Sequence, residues 1–572
     1  MRSAPHGGGA GGPDLWWCLM KLNARQLSRR GWLAMISSVS VGTAIPKIPV
    51  SDAAAAGSAD GTRVYNIRDY GAKGDGKTLD TVAIQSAIDA CHKAHGGIVL
   101  VPAGSFVIGT VQLRSNVTLR IATEGTLLGS ADGKQYHAAA EIPLRGDTTL
   151  GDGHVGLIFA VNAENITIEG PGTINGQGLQ FRRPRRGVPP PSGRGGDRRP
   201  YHILLYRCRN IRLHNLYLLD SAYHSVRIIE SDFVRASGLR IYNRVNGNND
   251  GFHFISSRYV HVSECDVQSG DDACALFGSC SYVTIANSTF STRWAVFRFG
   301  GGNPENITIS NCVIYETFGC PIKMQFGPES KAQNILFNNL VMHDVTGPIS
   351  IDVRGSRNHG LVSPAQGFVR NIMINGLQAR VVAKGRQFSD MPFRESYRPG
   401  ETRQCIVLNC IDDGVLENIS ISNAQIVYGG GGTQSEALRK VPQIAGEYFQ
   451  IGTPPAYGLY ARGVRGLSLS NVRFEVAKPD LRPALVLDNV NDAQINALSV
   501  NGDKSAISAL RFIDTRDALL TAVRLLSPTA VFLRVEGSLC TNIIIDGGDL
   551  TKAVAPLALK SGAAASAVNL RL

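Results

Sequence analysis

Three aspartates at a regular spacing carry the strongest chemical signal in this 572-residue chain. Asp250 stands in Asn248-Asn249-Asp250-Gly251-Phe252, and Asp271 and Asp272 stand in Ser269-Gly270-Asp271-Asp272-Ala273-Cys274, 21 and 22 residues further on. If that interval is one turn of a coil, the carboxyls fall on neighbouring strands roughly 4.8 Å apart and share one surface. Crowded carboxylates repel, so one is expected to hold a proton while the others stay ionised. Glycoside cleavage needs that asymmetry: an acid for the leaving oxygen and a carboxylate to activate water. Asn-Asp-Gly and Gly-Asp-Asp are also ordinary turn sequences, and clustered oxygens also suit calcium. Both readings stand beside the catalytic one.

The coil itself is written in a degenerate Asn-Ile-x-Ile unit. It occurs at Asn165, Asn210, Asn306, Asn334, Asn371 and Asn418, with Phe233, Tyr259 and Tyr282 standing in the Asn position. From Asn210 to Asn334 the intervals are 23, 26, 23, 24 and 28 residues. Alternating β-branched residues, Asn/Gly/Asp punctuation and a near absence of helical spacing make each unit strand, turn, strand. Such units bury their apolar faces only by stacking, which predicts an all-β, right-handed parallel β-helix. Asp80 to Cys91 departs from this pattern. Its apolar spacing predicts a helix with Asp80 as N-cap, covering the open end of the first coil. In the predicted register Phe252 and Phe254 point inward like Cys274 and Leu276, leaving His253 outside near Asp250.

Composition sets the frame. Hydrophobic residues reach 43% and charged residues only 18%, which supports a long core and argues against disorder. The formal net charge is +12, but it is localised. Residues 1–57 carry six Lys/Arg against two Asp, and Arg182 to Arg199 holds seven arginines and one aspartate. The stretch 177–200 reads as an Arg/Pro/Gly-rich loop on one domain spanning 58–572, and nucleic acid is not an expected partner. Ser28-Arg29-Arg30, the weakly apolar Leu33 to Ile45 and Ala53-Ala54-Ala55-Ala56 read as a signal peptide over 1–57. The paired arginines suggest the twin-arginine route and hence a periplasmic or extracellular protein. No segment has the roughly 18 consecutive apolar residues of a membrane span, so no stable membrane insertion is expected. Eleven cysteines include no paired C-x-x-C spacing of a zinc site, and neither a metal nor a cofactor is expected.

The segment from Tyr65 through Cys91 to Ile121 resembles the opening of the pectin-degrading β-helix enzymes. GTINGQG, NNDGF and SGDDACAL resemble successive landmarks of the polygalacturonases, glycoside hydrolase family 28. The resemblance runs from about Val64 to about Lys323. It implies inverting hydrolysis of a plant-wall polysaccharide, with Asp271 as acid and Asp250 and Asp272 holding the attacking water. Two family elements are missing. Where Gly-His-Gly is expected the chain has Ser291 to Gly300 without histidine, and Arg-Ile-Lys becomes Pro321-Ile322-Lys323. Lys323 survives from the second element, Arg298, Arg354 and His253 are the candidates to take over the lost roles, and Asn248 and Trp294 are further candidates to bind sugar. Tyr223 and His224 are further candidates for stacking. A monomer acting on polysaccharide leads; a calcium-dependent lyase and a noncatalytic glycan-binding β-helix are the alternatives. The long excursion through Arg386 to Arg403 is expected to close one end of the groove and favour exo action.

Overall fold

Every strand pair in the computed structural model is parallel, from Val64–Asn66 against Gly97–Val101 to the last coils. The described residues are 62–137, 155–181, 199–355, 367–385, 390–391, 400–446 and 448–571. The expected export segment 1–57 and the arginines at 182–198 lie outside them. Among the described residues, 15 strands form one sheet running from Val111–Gln112 to Ala553–Lys560, and 25 form a second, bent sheet. Consecutive strands of one sheet are about one coil apart in sequence, which is the expected right-handed β-helix. The main apolar core runs down its axis from Ile67 to Ala567.

The repeated asparagine has a specific task. Asn165, Asn210, Asn306, Asn334, Asn371 and Asn418 all adopt left-handed φ of 55–57°, a conformation that Asn tolerates better than other side chains do. Their amides then hydrogen-bond from coil to coil: Asn210 to Asn165 at 2.7 Å, Asn371 to Asn334 at 3.1 Å and Asn418 to Asn371 at 3.2 Å. Phe233, Tyr259 and Tyr282 keep the same φ and replace the amide ladder with stacked rings 4.8–4.9 Å apart.

A helix, Thr81–Lys93, covers the first coil with Ile84, Ala87, Ile88 and Cys91. Asp80 sits at its N-cap, but its carboxylate makes no cap bond and instead accepts the backbone N–H groups of Lys73 and Gly74 at 2.7 and 3.0 Å. The preceding turn, with two donors converging, outcompetes the helix for that acceptor. All ten cysteines of the described residues are free and buried. Among the described residues no helix is long and apolar enough to cross a membrane.

Candidate functional site

The site lies on the 15-stranded sheet, where Phe252–Ile255 pairs with Cys274–Phe277, and that strand with Ala295–Gly300. The register Phe252↔Cys274 places Asp250 beside Asp272, two residues before each strand, with Asp271 one step earlier. Phe252 and Phe254 are buried in the core, and His253 points to the other side. Three buried amides brace the turn that presents Asp250. Asn243 donates to the carbonyls of Tyr223 and Asp250, Asn246 to that of Gly178, and Asn249 to those of Ser221 and Tyr223. Gly251 is obligatory: a Cβ there would lie 2.4 Å from the Ala273 carbonyl oxygen.

The three carboxylates differ in setting. Asp250 is 4% exposed; its Oδ2 accepts from His253 Nδ1 at 2.8 Å, and its Oδ1 faces His224 Nε2 at 3.6 Å. Asp272 is 7% exposed and accepts the Ala295 N–H at 3.2 Å. Asp271 is the one that reaches partly into solvent. Its Oδ1 accepts the Asp272 N–H at 3.0 Å, and Asn248 Nδ2 approaches its Oδ2 at 3.4 Å. Asn248, in a left-handed conformation, also accepts from Arg199 at 3.4 Å.

Along the outward face one register column reads Arg227, His253, Ala275, Arg298, Lys323, Ser350. Arg298 and Lys323 therefore stand two and three strands beyond His253. Arg298 turns its guanidinium to the Phe299 carbonyl and Gln325 and lies over the Phe277 ring, 5.6 Å from its centroid. Lys323, 1% exposed, holds its ammonium 4.7 Å from the centroid of the half-buried Trp294. Arg354 ends a strand three steps from Cys274–Phe277, roughly 14 Å away, and is not brought to the carboxylates. Tyr223 and His224, expected as sugar platforms, are buried against Tyr201 and each other.

Residues distant in sequence complete the site. The described parts of two excursions from the coils, beginning near Val382 and Gly429, pack together, and residues 386–389 and 392–399 of the expected excursion lie outside the described residues. Arg403 pairs with Glu436 at 2.8 Å, Gln404 donates to the Gly452 carbonyl, and Arg482 donates to the carbonyls of Arg403 and Pro454 while paired with Asp480. Gly429 to Gly432 is no loose linker, because the Gly432 N–H is bound by Asp480. Among the described residues, contacts from these excursions to the site include Glu401 to Arg293 at 3.1 Å, Asp390 to Arg244 at 2.9 Å, and Phe449 to Trp294 with ring centroids 6.1 Å apart.

His224, Asp250 and His253 bring three ligand-type atoms within 4.8 Å of one another. The two imidazole planes are nearly parallel, 9° apart with centroids separated by 4.6 Å. Both in-plane lone pairs therefore cannot aim at one ion about 2.1 Å from each. Burial, with Arg227 nearby, also holds both imidazoles well below their ordinary pKa and hence neutral. A cavity of about 730 Å³ lies further along the same sheet, among Tyr460, Arg462, Asp488, Arg511 and Glu536. Its charges satisfy one another, through Tyr460 to Asp488 at 2.9 Å and the bidentate pair of Arg511 with Glu536.

Residues 91–445 match the sequence profile described as glycosyl hydrolases family 28. A probable polygalacturonase of Vitis vinifera is 34% identical over 42% of this chain and 50% of its own length. An exo-poly-alpha-D-galacturonosidase of Dickeya chrysanthemi is 30% identical over 50% of this chain and 56% of its own. The chain thus spans about half the length of these curated relatives. Among solved structures, a Yersinia enterocolitica family 28 exopolygalacturonase covers 76% of this chain and 79% of its own, with a TM-score of 0.56 at 18% identity, which is a likeness of fold.

Proposed function

Because the chain belongs to glycosyl hydrolases family 28, we propose that it is a glycoside hydrolase acting on a pectic polysaccharide, with Asp250, Asp271 and Asp272 as its working carboxylates. The observation that carries this reading is the register that sets Asp250 beside Asp272 on adjacent strands, with Asp271 facing outward. In this reading Asp271 protonates the leaving oxygen, because it is the carboxyl that a sugar can reach. Asp250 and Asp272, buried and fixed by N–H donors, orient and deprotonate the attacking water, which inverts the anomeric centre. The substrate carboxylate meets the positive side of the site at the partly exposed Arg298, while Lys323, buried beneath Trp294, adds its charge without direct contact.

The packed excursions support exo action. Their described parts are tied beside the carboxylate strands to Arg293, Arg244 and Trp294, and in this reading they narrow the groove so that a chain end enters more readily than a chain middle. The name of the Dickeya relative agrees with this. Calcium-dependent elimination is less well supported, since Asp250, Asp271 and Asp272 already accept hydrogen bonds from N–H groups. We retain 1–57 as an export signal and the monomer as the working unit.

Product analysis over a panel of pectic glycans tests the reading. A hydrolase of this kind releases reducing ends, without ultraviolet-absorbing unsaturated sugars and without inhibition by chelator, and proton NMR shows the inverted anomer first. Unsaturated products, or loss of activity with chelator, would make the protein a lyase.

A further inference from the structure

His224, His253, Phe277 and Arg298 form one stack across successive coils. Ring centroids are 4.6 Å apart between His224 and His253 and 4.9 Å between His253 and Phe277, and the Arg298 guanidinium lies on the far side of Phe277. The stack runs directly beside Asp250, and its hydrogen bonds fix the imidazole tautomers. Arg227 can only donate, so at 3.1 Å it makes His224 Nδ1 an acceptor, and the proton of a neutral His224 sits on Nε2, facing Asp250 Oδ1 at 3.6 Å. His253 meets Asp250 Oδ2 at 2.8 Å through Nδ1, which as the partner of a carboxylate carries the proton. Its Nε2 is then a bare acceptor, buried and, among the described residues, without a hydrogen-bond partner. Leaving an acceptor unsatisfied is costly, and flipping the ring would forfeit the Asp250 contact. The coil Ser291 to Gly300 offers no imidazole, whereas His224 and His253 both face Asp250.

We propose that His253 is the positioning residue for the water-activating carboxylate: an Nδ1–H donor, clamped between His224 and Phe277, that holds Asp250 in one rotamer. This inference rests on the hydrolase reading above. It assigns His253 a role through Asp250 rather than a contact with sugar.

Two substitutions separate the hydrogen bond from the stack. His253→Phe keeps a ring between His224 and Phe277 but removes the donor, while His253→Asn keeps a donor at nearly the Nδ1 position. The expected result for His253→Phe is kcat lower by about 10- to 100-fold, the range for losing a hydrogen bond to a charged group, with KM within about twofold. His253→Asn is expected to recover most of that loss, and both variants should unfold thermally near the parent. Unchanged kcat in His253→Phe overturns the proposal. A raised KM with kcat intact also overturns it, because His253 would then be binding sugar. Asp250→Asn is the control for the underlying reading: if that variant keeps full activity, the hydrolase assignment of Asp250 fails by itself. A readout that needs no turnover is the imidazole nitrogen-15 spectrum. The resonances lost in His253→Asn should report a neutral Nδ1–H tautomer at pH 7, and an Nε2–H tautomer or an imidazolium there contradicts the proposal.

Discussion

Glu401→Gln removes one charge from a nearly isosteric side chain at the point where the first excursion meets the catalytic coil. Glu401 and Arg293 are 1% and 5% exposed and 3.1 Å apart, and Arg293 also lies over the Phe318 ring, 4.9 Å from its centroid. Water therefore cannot replace the lost partner while the segment stays closed. Removing one member of a buried pair costs about 3–5 kcal/mol, mostly from the charge left behind. The segment 400–404 can relieve that cost by detaching, so at about 1.36 kcal/mol per decade the open population rises by about 100-fold or more. An opened groove admits internal segments of polysaccharide. The products of Glu401→Gln should then include oligomers early in digestion, with a steeper fall in viscosity per reducing end than in the parent. The double variant Arg293→Met/Glu401→Met removes both charges and is expected to restore stability, and most of the closed behaviour, because apolar replacements of buried pairs are often neutral. If Glu401→Gln melts with the parent and releases the same products, the pair does not hold the segment and the argument for exo action loses its main support.

Other outcomes follow from the same structure. Burial lowers the His202 pKa from 6.5 to about 4, while its Nε2 donates to the Leu219 carbonyl at 3.0 Å. The native state thus binds fewer protons than the unfolded chain, so its stability is complete above pH 6.5 and falls as pH drops from 6.5 toward 4. Urea unfolding at pH 7.5 and pH 5 should show a loss about 2 kcal/mol larger in the parent than in His202→Gln, which keeps a donor but cannot titrate; equal losses refute this. Asn371→Ala places alanine at a φ of 56° and breaks amide bonds to both neighbouring coils. It should destabilise by about 2 kcal/mol or more, measured the same way. Lys323→Met, keeping the stem beneath Trp294, should raise KM for an anionic oligosaccharide by about 10-fold and change a neutral one little. An unchanged KM means that the ammonium is not used.

The parts legible in the sequence are those carried by the coil period. The 22-residue offset between Asp250 and Asp272 reproduces the observed register, because a parallel coil allows little slippage once Phe252 and Phe254 must face inward with Cys274 and Leu276. The Asn position was visible too, including its aromatic replacements at Phe233, Tyr259 and Tyr282, which turned out to share one backbone conformation. Contacts made by excursions were not legible. Arg293 meets Glu401 and Arg482 meets Arg403 across 108 and 79 residues, and loops of irregular length erase any periodic signal between such partners. Exposure was not legible either. Outward parity on a strand predicts open surface for His253, and the aromatic face of His224 predicts a sugar platform, but both rings are buried. Asp80 shows a local competition instead: its position at the helix start was evident, yet the turn at Lys73 and Gly74 claims its carboxylate.

The most direct test of the central claim is the rate of reducing-end release from a pectic polysaccharide by the parent, Asp271→Asn and Asp250→Asn, each shown to be folded. If these carboxylates do the chemistry, both substitutions lower kcat by at least about 100-fold, the scale of general acid–base catalysis, while substrate still binds. Full activity in Asp271→Asn on every glycan that the parent cleaves would contradict the account.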